Sequence, residues 1–225
     1  MQNRISPIVV VNFKSSRRGS GESGLTVAKK LDEVQRNLPD AQIIVAVPPQ
    51  DIYRISHETG LTVFAQHVDP ISFGDYSGSI CPEAIQEAGA SGTLLNHPEK
   101  KLRDDICQKT TFLCQRAGLA VILCASTLQE VAQFEQYHPD YIGLECTSLI
   151  GKPYSLFDVY PTIVDEALAQ SRSRILFGAG IKNAQDVQRI INKGGAGVIV
   201  SSAILNAADP AAALYTLLNN GLITV

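Results

Sequence analysis

The segment Gly92-Thr93-Leu94-Leu95-Asn96-His97-Pro98-Glu99 joins a short apolar run to a histidine, and a long polar segment follows it. This pattern predicts a strand that ends near His97 and a helix that begins at Pro98, because proline favours the first helical position. The positive end of the helix dipole would then disfavour a charged imidazole. We therefore expect a neutral ring that can donate a hydrogen bond to developing negative charge, although a structural histidine is the simpler interpretation of this stretch alone.

Composition limits the class of protein. The chain has 225 residues, 45% of them apolar, which is enough for one large domain with a sizeable core. Its 19 basic and 22 acidic residues give a formal net charge of −3 and form no basic run, which argues against nucleic acid or an anionic membrane as the main partner. The five cysteines show neither a CxxC pair nor a metal-ligand spacing, so free thiols and no bound metal are expected.

The location is predicted from the same features. The N-terminus shows no signal-peptide pattern, and no apolar run approaches the roughly 18 residues that span a membrane. Scattered cysteines without pairing indicate a reducing compartment. We therefore expect a cytoplasmic protein that does not enter a membrane.

Short β-branched runs alternate with segments of helical period along the whole chain. The predicted strands span 8–13, 43–47, 61–65, 92–95, 119–124, 141–145, 174–177 and 197–200. The predicted helices span about 27–38, 51–57, 82–89, 98–118, 127–137, 157–170, 184–191 and 210–218. Eight such units without a break in composition predict an α/β fold, a single (β/α)8 barrel over residues 1–225 with a parallel eight-stranded core. An open doubly wound sheet is the alternative, but eight regular units without an insertion favour closure.

In such a barrel the active site lies at the carboxyl ends of the strands. The sequence places Asn12 and Lys14 there at the end of strand one, His97 at the end of strand four and Glu145 at the end of strand six. Burial behind an apolar strand would make Glu145 a stronger base. A solvated surface lysine and a paired core carboxylate are the simpler interpretations of Lys14 and Glu145 taken singly. Their joint placement on one rim indicates a catalytic site.

Two turns rich in small residues indicate a phosphate site. Gly178-Ala179-Gly180-Ile181 follows strand seven, and Ser201-Ser202-Ala203 opens a short helix after strand eight. Such turns leave backbone N–H groups free to face an anion, and barrels often bind phosphate at these two positions. Tight turns needed only for packing are the alternative. The pattern predicts a phosphorylated ligand but no particular reaction.

The sequence resembles the triosephosphate isomerase family, in particular its short archaeal-type branch, over essentially the whole chain. The segments that carry the resemblance are Asn12-Phe13-Lys14, Phe64-Ala65-Gln66-His67-Val68-Asp69-Pro70, Pro82-Glu83-Ala84, Gly92 to His97, Leu144-Glu145, Leu149-Ile150-Gly151, Gly178 to Ile181 and Gly197-Val198. The resemblance implies a TIM barrel that interconverts dihydroxyacetone phosphate and D-glyceraldehyde 3-phosphate. This family is itself the standard worked example of the fold and of a neutral histidine electrophile, so the roles below are carried over from it.

By this resemblance, Glu145 would abstract a proton beside the carbonyl and return it to the neighbouring carbon. Neutral His97 would move protons between the two oxygens of the enediolate, and Lys14 with Asn12 would hold charge at the substrate. Backbone groups would bind the phosphate at Ile150, Gly151, Gly180, Ser201 and Ser202. Glu99 and Cys124 would lie just behind the catalytic groups.

The resemblance also implies a lid and an assembly. Residues 146–152 would form a lid that excludes water from the enediolate. The loop 67–80 would pack against a second subunit in a homodimer or homotetramer. Proton transfer of this kind needs no metal and no organic cofactor, and neither is expected.

Two departures from the family pattern keep alternatives open. Pro98 replaces the usual serine after the catalytic histidine. The lid reads Cys146-Thr147-Ser148-Leu149-Ile150-Gly151-Lys152-Pro153, where the family usually has a proline at its start and Gly-Thr-Gly at its end. The chain is then a triosephosphate isomerase with an altered lid, an isomerase of another small sugar phosphate, or a catalytically weak barrel that binds a phosphorylated ligand. Intact Lys14, His97 and Glu145 count against the last.

Overall fold

A computed structural model describes residues 7–222 and shows a closed barrel of eight parallel strands in sequential order. The strands are β1 (Ile8–Asn12), β2 (Gln42–Val47), β3 (Thr62–Ala65), β4 (Gly92–Leu95), β5 (Ala120–Ala125), β6 (Tyr141–Glu145), β7 (Arg174–Gly178) and β8 (Gly197–Val200). Pairing of β1 with β8 closes the sheet. This confirms the predicted barrel and excludes an open doubly wound sheet. The remaining residues of the predicted domain, 1–6 and 223–225, lie outside the described part.

Helices cover the outside of the barrel. They are α1 (Gly21–Asn37), α2 (Pro49–Glu58), α3 (Pro82–Glu87), α4 (Asp104–Arg116), α5 (Leu128–Phe134), α6 (Leu156–Val159), α7 (Ile163–Gln170), α8 (Ala184–Asn192), α9 (Ser202–Leu205) and α10 (Pro210–Leu222). Asn183 caps α8, since its side chain accepts a hydrogen bond from the Asp186 N–H. Within residues 7–222, no helix has the length and apolar character needed to cross a membrane.

The core has two layers because both faces of each strand are buried. Alternate residues such as Val9 and Val11 point outward to the helices, and Ile8 and Val10 point into the barrel. Glycines inside the barrel make room for larger neighbours. A Cβ atom at Gly92 would lie 2.4 Å from the Phe64 ring. The strands therefore present a packed floor beneath their carboxyl ends.

The structure corrects two predicted helices. Pro98 does not begin a helix. It occupies the second position of a β-turn that the Lys100 N–H closes on the His97 carbonyl at 2.7 Å, and α4 begins only at Asp104. Proline suits this position because its fixed φ matches the turn.

The predicted helix 157–170 is two helices, α6 and α7. Pro161 lacks an N–H group and forces the residue before it out of the helical region, and Tyr160 accordingly has φ −132° and ψ 72°. The break places a short helix directly after the lid segment.

Candidate active site

A cavity of about 570 Å³ opens at the carboxyl ends of the strands. It brings together all nine predicted catalytic and substrate-binding residues: Asn12, Lys14, His97, Glu145, Ile150, Gly151, Gly180, Ser201 and Ser202. Glu99 and Cys124 do not line it. Glu99 lies outside and forms an ion pair with Lys14, and Cys124 is buried inside the barrel.

The Glu145 carboxylate is held at the end of β6 with a side chain only 8% exposed. Its strand partner is Gly178, where an added Cβ would lie 2.6 Å from the Glu145 Cγ. Glycine at 178 therefore creates the space that the carboxylate occupies. Within residues 7–222 the buried Oε1 atom of Glu145 has no hydrogen-bond partner. A buried carboxylate oxygen without a donor is suited to accept a proton from a bound ligand.

The His97 ring faces this oxygen. Its Nε2 lies 3.3 Å from the Glu145 Oε1, although the two groups are not aligned as a hydrogen bond. The Glu99 N–H donates to the His97 Nδ1 at 3.2 Å, so Nδ1 acts as an acceptor and the proton is assigned to Nε2. The hydrogen bond to the ring therefore comes from a turn N–H and not from the start of an adjacent helix.

Asn96 braces the turn that carries His97. It adopts a left-handed backbone conformation with φ 58°. Its side chain donates to the Cys124 carbonyl at 2.9 Å and accepts from the Leu102 N–H at 2.8 Å. The buried amide thus ties the end of β4 to β5 and fixes the direction of the ring.

Lys14 enters the cavity from a strained turn. Its backbone φ is 50°, a value that residues other than glycine rarely adopt. Such strain typically costs about 1–3 kcal/mol. The Lys14 N–H donates to the Asn12 Oδ1 at 3.0 Å, which supports this conformation. The Lys14 ammonium pairs with the Glu99 carboxylate. Asn12 therefore holds the backbone of Lys14, and Glu99 holds its ammonium group.

The turn after β7 and the start of α9 also line the cavity. Ala179 and Gly180 both have positive φ, 57° and 73°, so the chain turns sharply after β7. Ser201 precedes α9 and makes no side-chain capping bond to it, and the first N–H groups of a helix have no partner within it. Such a set of amides is suited to an anion.

Sequence reasoning missed several residues that line the cavity, among them Ser16, Lys182 and Asn206. Lys182 had a detectable signal, since it is a cation only two residues beyond the predicted phosphate turn at Gly180. Ser16 and Asn206 had none, because a hydroxyl or an amide in a surface loop is common.

The lid segment lies over the cavity. A short 3-10 turn, Thr147–Leu149, starts with the Leu149 N–H donating to the Cys146 carbonyl at 2.9 Å. Leu149 is buried, and the Ser148 hydroxyl lies 2.9 Å from the Tyr160 hydroxyl beyond α6. The lid is therefore packed against the protein at its first half.

Two thiols flank the carboxylate and stay protonated. Burial, followed by the negative charge of Glu145, raises the pKa of Cys146 to about 11. The same two causes raise the pKa of Cys124 well above its ordinary value. Neither thiol is suited to act as a nucleophile.

Comparisons with known proteins identify the family. The sequence profile of the family Triosephosphate isomerase matches residues 7–219. A triosephosphate isomerase of Saccharolobus solfataricus is 34% identical over 208 residues, 91% of each chain. One from Methanosarcina barkeri is 35% identical over 219 residues, 94% of this chain and 97% of the relative. Both organisms are archaea, which confirms the resemblance to the archaeal-type branch.

Among solved structures, the crystal structure of triosephosphate isomerase from Bartonella henselae superimposes with a TM-score of 0.69. The match covers 94% of this chain and 99% of that one at 20% identity, so it supports the fold alone. The family assignment rests on the sequence profile and the archaeal relatives. This chain belongs to the triosephosphate isomerase family.

Proposed function

We propose that this protein interconverts dihydroxyacetone phosphate and D-glyceraldehyde 3-phosphate, with Glu145 as the base. The buried, unpartnered Oε1 of Glu145 is the observation that carries the assignment. Bound substrate would present the C–H beside its carbonyl to this oxygen. The carboxylate takes the proton, and the carbon electron pair moves toward the carbonyl to give an enediolate. Glu145 then returns the proton to the neighbouring carbon.

His97 and Lys14 stabilise the enediolate in this proposal. The neutral His97 ring donates from Nε2 to an enediolate oxygen, because the Glu99 N–H occupies its Nδ1. An imidazole that gives and regains one proton can serve the two oxygens in turn. Lys14 lines the same cavity, so its ammonium would add positive charge beside the enediolate. Its fixed turn means that little reorganisation is needed when negative charge develops.

The phosphate would bind at the far end of the cavity. The positive-φ turn at Gly180, the start of α9 at Ser201 and Ser202, and the lid residues Ile150 and Gly151 all line the cavity. Binding energy from the phosphate would close the lid and keep water from the enediolate.

We also infer an assembly of identical subunits through loop 67–80. The ends of this loop are joined, since the Asp69 N–H donates to the Ile80 carbonyl and the Asp69 carboxylate accepts from the Ile80 N–H. The loop exposes Phe73 and Tyr76, 62% and 57% respectively. Exposed aromatic side chains, on a loop whose two ends are hydrogen-bonded to each other, suit a contact with a second copy of the chain. Dimer and tetramer are distinguished by sedimentation of the purified protein.

A cytoplasmic location belongs to the same proposal. The cysteines of the chain are free and buried, as expected in a reducing compartment. Fractionation of cells that express the tagged protein tests this directly.

A second candidate, isomerisation of a different small sugar phosphate, is favoured by one observation. Lys152, a cation absent from the usual Gly-Thr-Gly ending of the family lid, lines the cavity. The assay therefore compares D-glyceraldehyde 3-phosphate with four-carbon sugar phosphates on purified protein. Since one extra carbon in a fitted pocket changes specificity by about 10–200-fold, kcat/KM should favour the three-carbon substrate by at least the lower figure. A preference for a four-carbon substrate would establish the second candidate. If neither substrate is turned over, the protein is a catalytically weak barrel that binds a phosphorylated ligand.

A further inference from the structure

A single hydrogen bond joins the lid to the turn after β7. The Lys182 ammonium donates to the backbone carbonyl of Lys152 at 2.6 Å, across 30 residues of sequence. Lys152 lies at the far end of the lid, and both residues line the cavity. We call this contact the Lys182 strap.

The base of the strap is rigid. Asp186, at the start of α8, is buried, and its carboxylate accepts from the Lys182 N–H at 2.9 Å and from the Ser155 hydroxyl at 2.8 Å. The Leu156 N–H also donates to the Gly180 carbonyl at 2.9 Å. The chain beyond the lid is therefore held to the turn after β7 by buried groups.

The strap uses charge that is otherwise uncompensated. Among the described ion pairs, Lys14 is matched by Glu99, but neither Lys152 nor Lys182 pairs with a carboxylate. A carbonyl oxygen satisfies the Lys182 ammonium without neutralising it. The positive charge thus remains available at the end of the cavity where backbone amides collect.

We propose that Lys182 is a positioning residue for the isomerisation, a role that rests on the proposed function. The strap holds the second end of the lid, and release of the strap would let the lid open about its first end at Cys146. The same ammonium adds a cation at the phosphate end, which couples binding of an anionic phosphate to an ordered lid. Both effects place Ile150 and Gly151 over the substrate.

Three variants separate the strap from simple charge. Lys182→Met removes both the charge and the donor, and Lys182→Arg keeps both. Lys152→Met is the matched control, because it removes the other cavity ammonium but leaves the carbonyl that the strap uses. Amide hydrogen exchange of residues 147–152 reports lid order in the free enzyme. Steady-state kinetics and the release of inorganic phosphate per turnover report loss of the covered enediolate.

We expect Lys182→Met to speed lid exchange and to lower kcat/KM by about 10- to 100-fold, the range for losing a hydrogen bond to a charged group. A larger share of turnovers should end in free phosphate. Lys182→Arg should restore the exchange protection. Lys152→Met should raise KM and leave the exchange unchanged.

Unchanged lid exchange in Lys182→Met, or equal effects of Lys182→Met and Lys152→Met on exchange, would overturn the proposal. The exchange measurement needs no substrate. If the wild-type protein lacks isomerase activity but its lid exchanges faster in Lys182→Met, the proposed function is refuted. The role of Lys182 in ordering the lid is then still supported.

Discussion

The Nε2 atom of His97 lies 3.3 Å from the Oε1 atom of Glu145, and both side chains are 8% exposed. At this separation no third heavy atom fits between the two groups. A substrate must therefore bind alongside both atoms on the cavity side, with its reacting carbon toward the carboxylate and an oxygen toward the ring. The pair is brought together from β4 and β6, strands that are not neighbours in the barrel.

Gly178→Ala should displace the base. The new methyl carbon would lie 2.6 Å from the Glu145 Cγ, so the carboxylate must move. Since a shift of about 1 Å at a catalytic group can reduce rates about 100-fold, kcat should fall by that order. Gly60→Ala is the control, because its Cβ would meet only the Asp32 carboxylate at 3.3 Å, away from the cavity. Equal kcat values in both variants would show that Glu145 tolerates the methyl group.

Pro98→Ser should leave turnover within about threefold of wild type. Pro98 acts through its fixed φ in the turn closed by Lys100, and the Glu99 N–H that reaches His97 is unaffected by the substitution. The main effect should be on stability, a loss of about 0.4–1 kcal/mol from greater freedom of the unfolded chain. Denaturant unfolding and steady-state assays measure the two effects. A sharp rise in kcat would mean that proline at this position restrains catalysis.

Cys146 should react slowly with iodoacetamide at pH 8. With a pKa of about 11, about one thiol in a thousand is ionised at that pH, and the side chain is also buried. The rate should rise about tenfold for each pH unit up to pH 10. Mass spectrometry of the peptide that contains Cys146 follows the alkylation. Labelling as fast as that of free cysteine at pH 8 would show that the hinge thiol is exposed in solution.

Stability should fall on acidification partly through His67. Burial, with the nearby charge of Lys100, lowers the pKa of His67 below its ordinary value of 6.5, although Asp69 opposes the shift. The unfolded chain then binds this proton more readily than the folded one, so the contribution is present above pH 6.5 and is lost as the pH falls below it. His67→Asn should flatten the decrease in the free energy of unfolding between about pH 6.5 and 5.5. Parallel curves for wild type and variant would contradict this assignment.

The sequence predicted most of the fold and the residues that meet at the candidate site for a simple reason. Parallel strands end on one rim, so residues that follow apolar runs, such as Lys14, His97 and Glu145, must meet there. The polar residue after a buried strand is visible without any knowledge of packing. The same logic predicted the turn at Gly180.

Features that depend on tertiary contacts were not predictable. The helix predicted to begin at Pro98 begins at Asp104. Proline suits both the first position of a helix and a β-turn, so the sequence alone does not distinguish the two. Pro161 lies within an apolar segment of helical period, which hides the break between α6 and α7. The positive φ of Lys14 and the strap from Lys182 depend on groups distant in the sequence, and no local pattern records them.

The central claim is that the unpartnered carboxylate of Glu145 moves the substrate proton. The most direct test follows D-glyceraldehyde 3-phosphate in D2O by proton NMR with wild type and Glu145→Gln. Wild type should isomerise the substrate and incorporate deuterium into it, and Glu145→Gln should lose both together by about 100- to 10,000-fold. Deuterium incorporation by Glu145→Gln at the wild-type rate would contradict the account, because another group would then be the base.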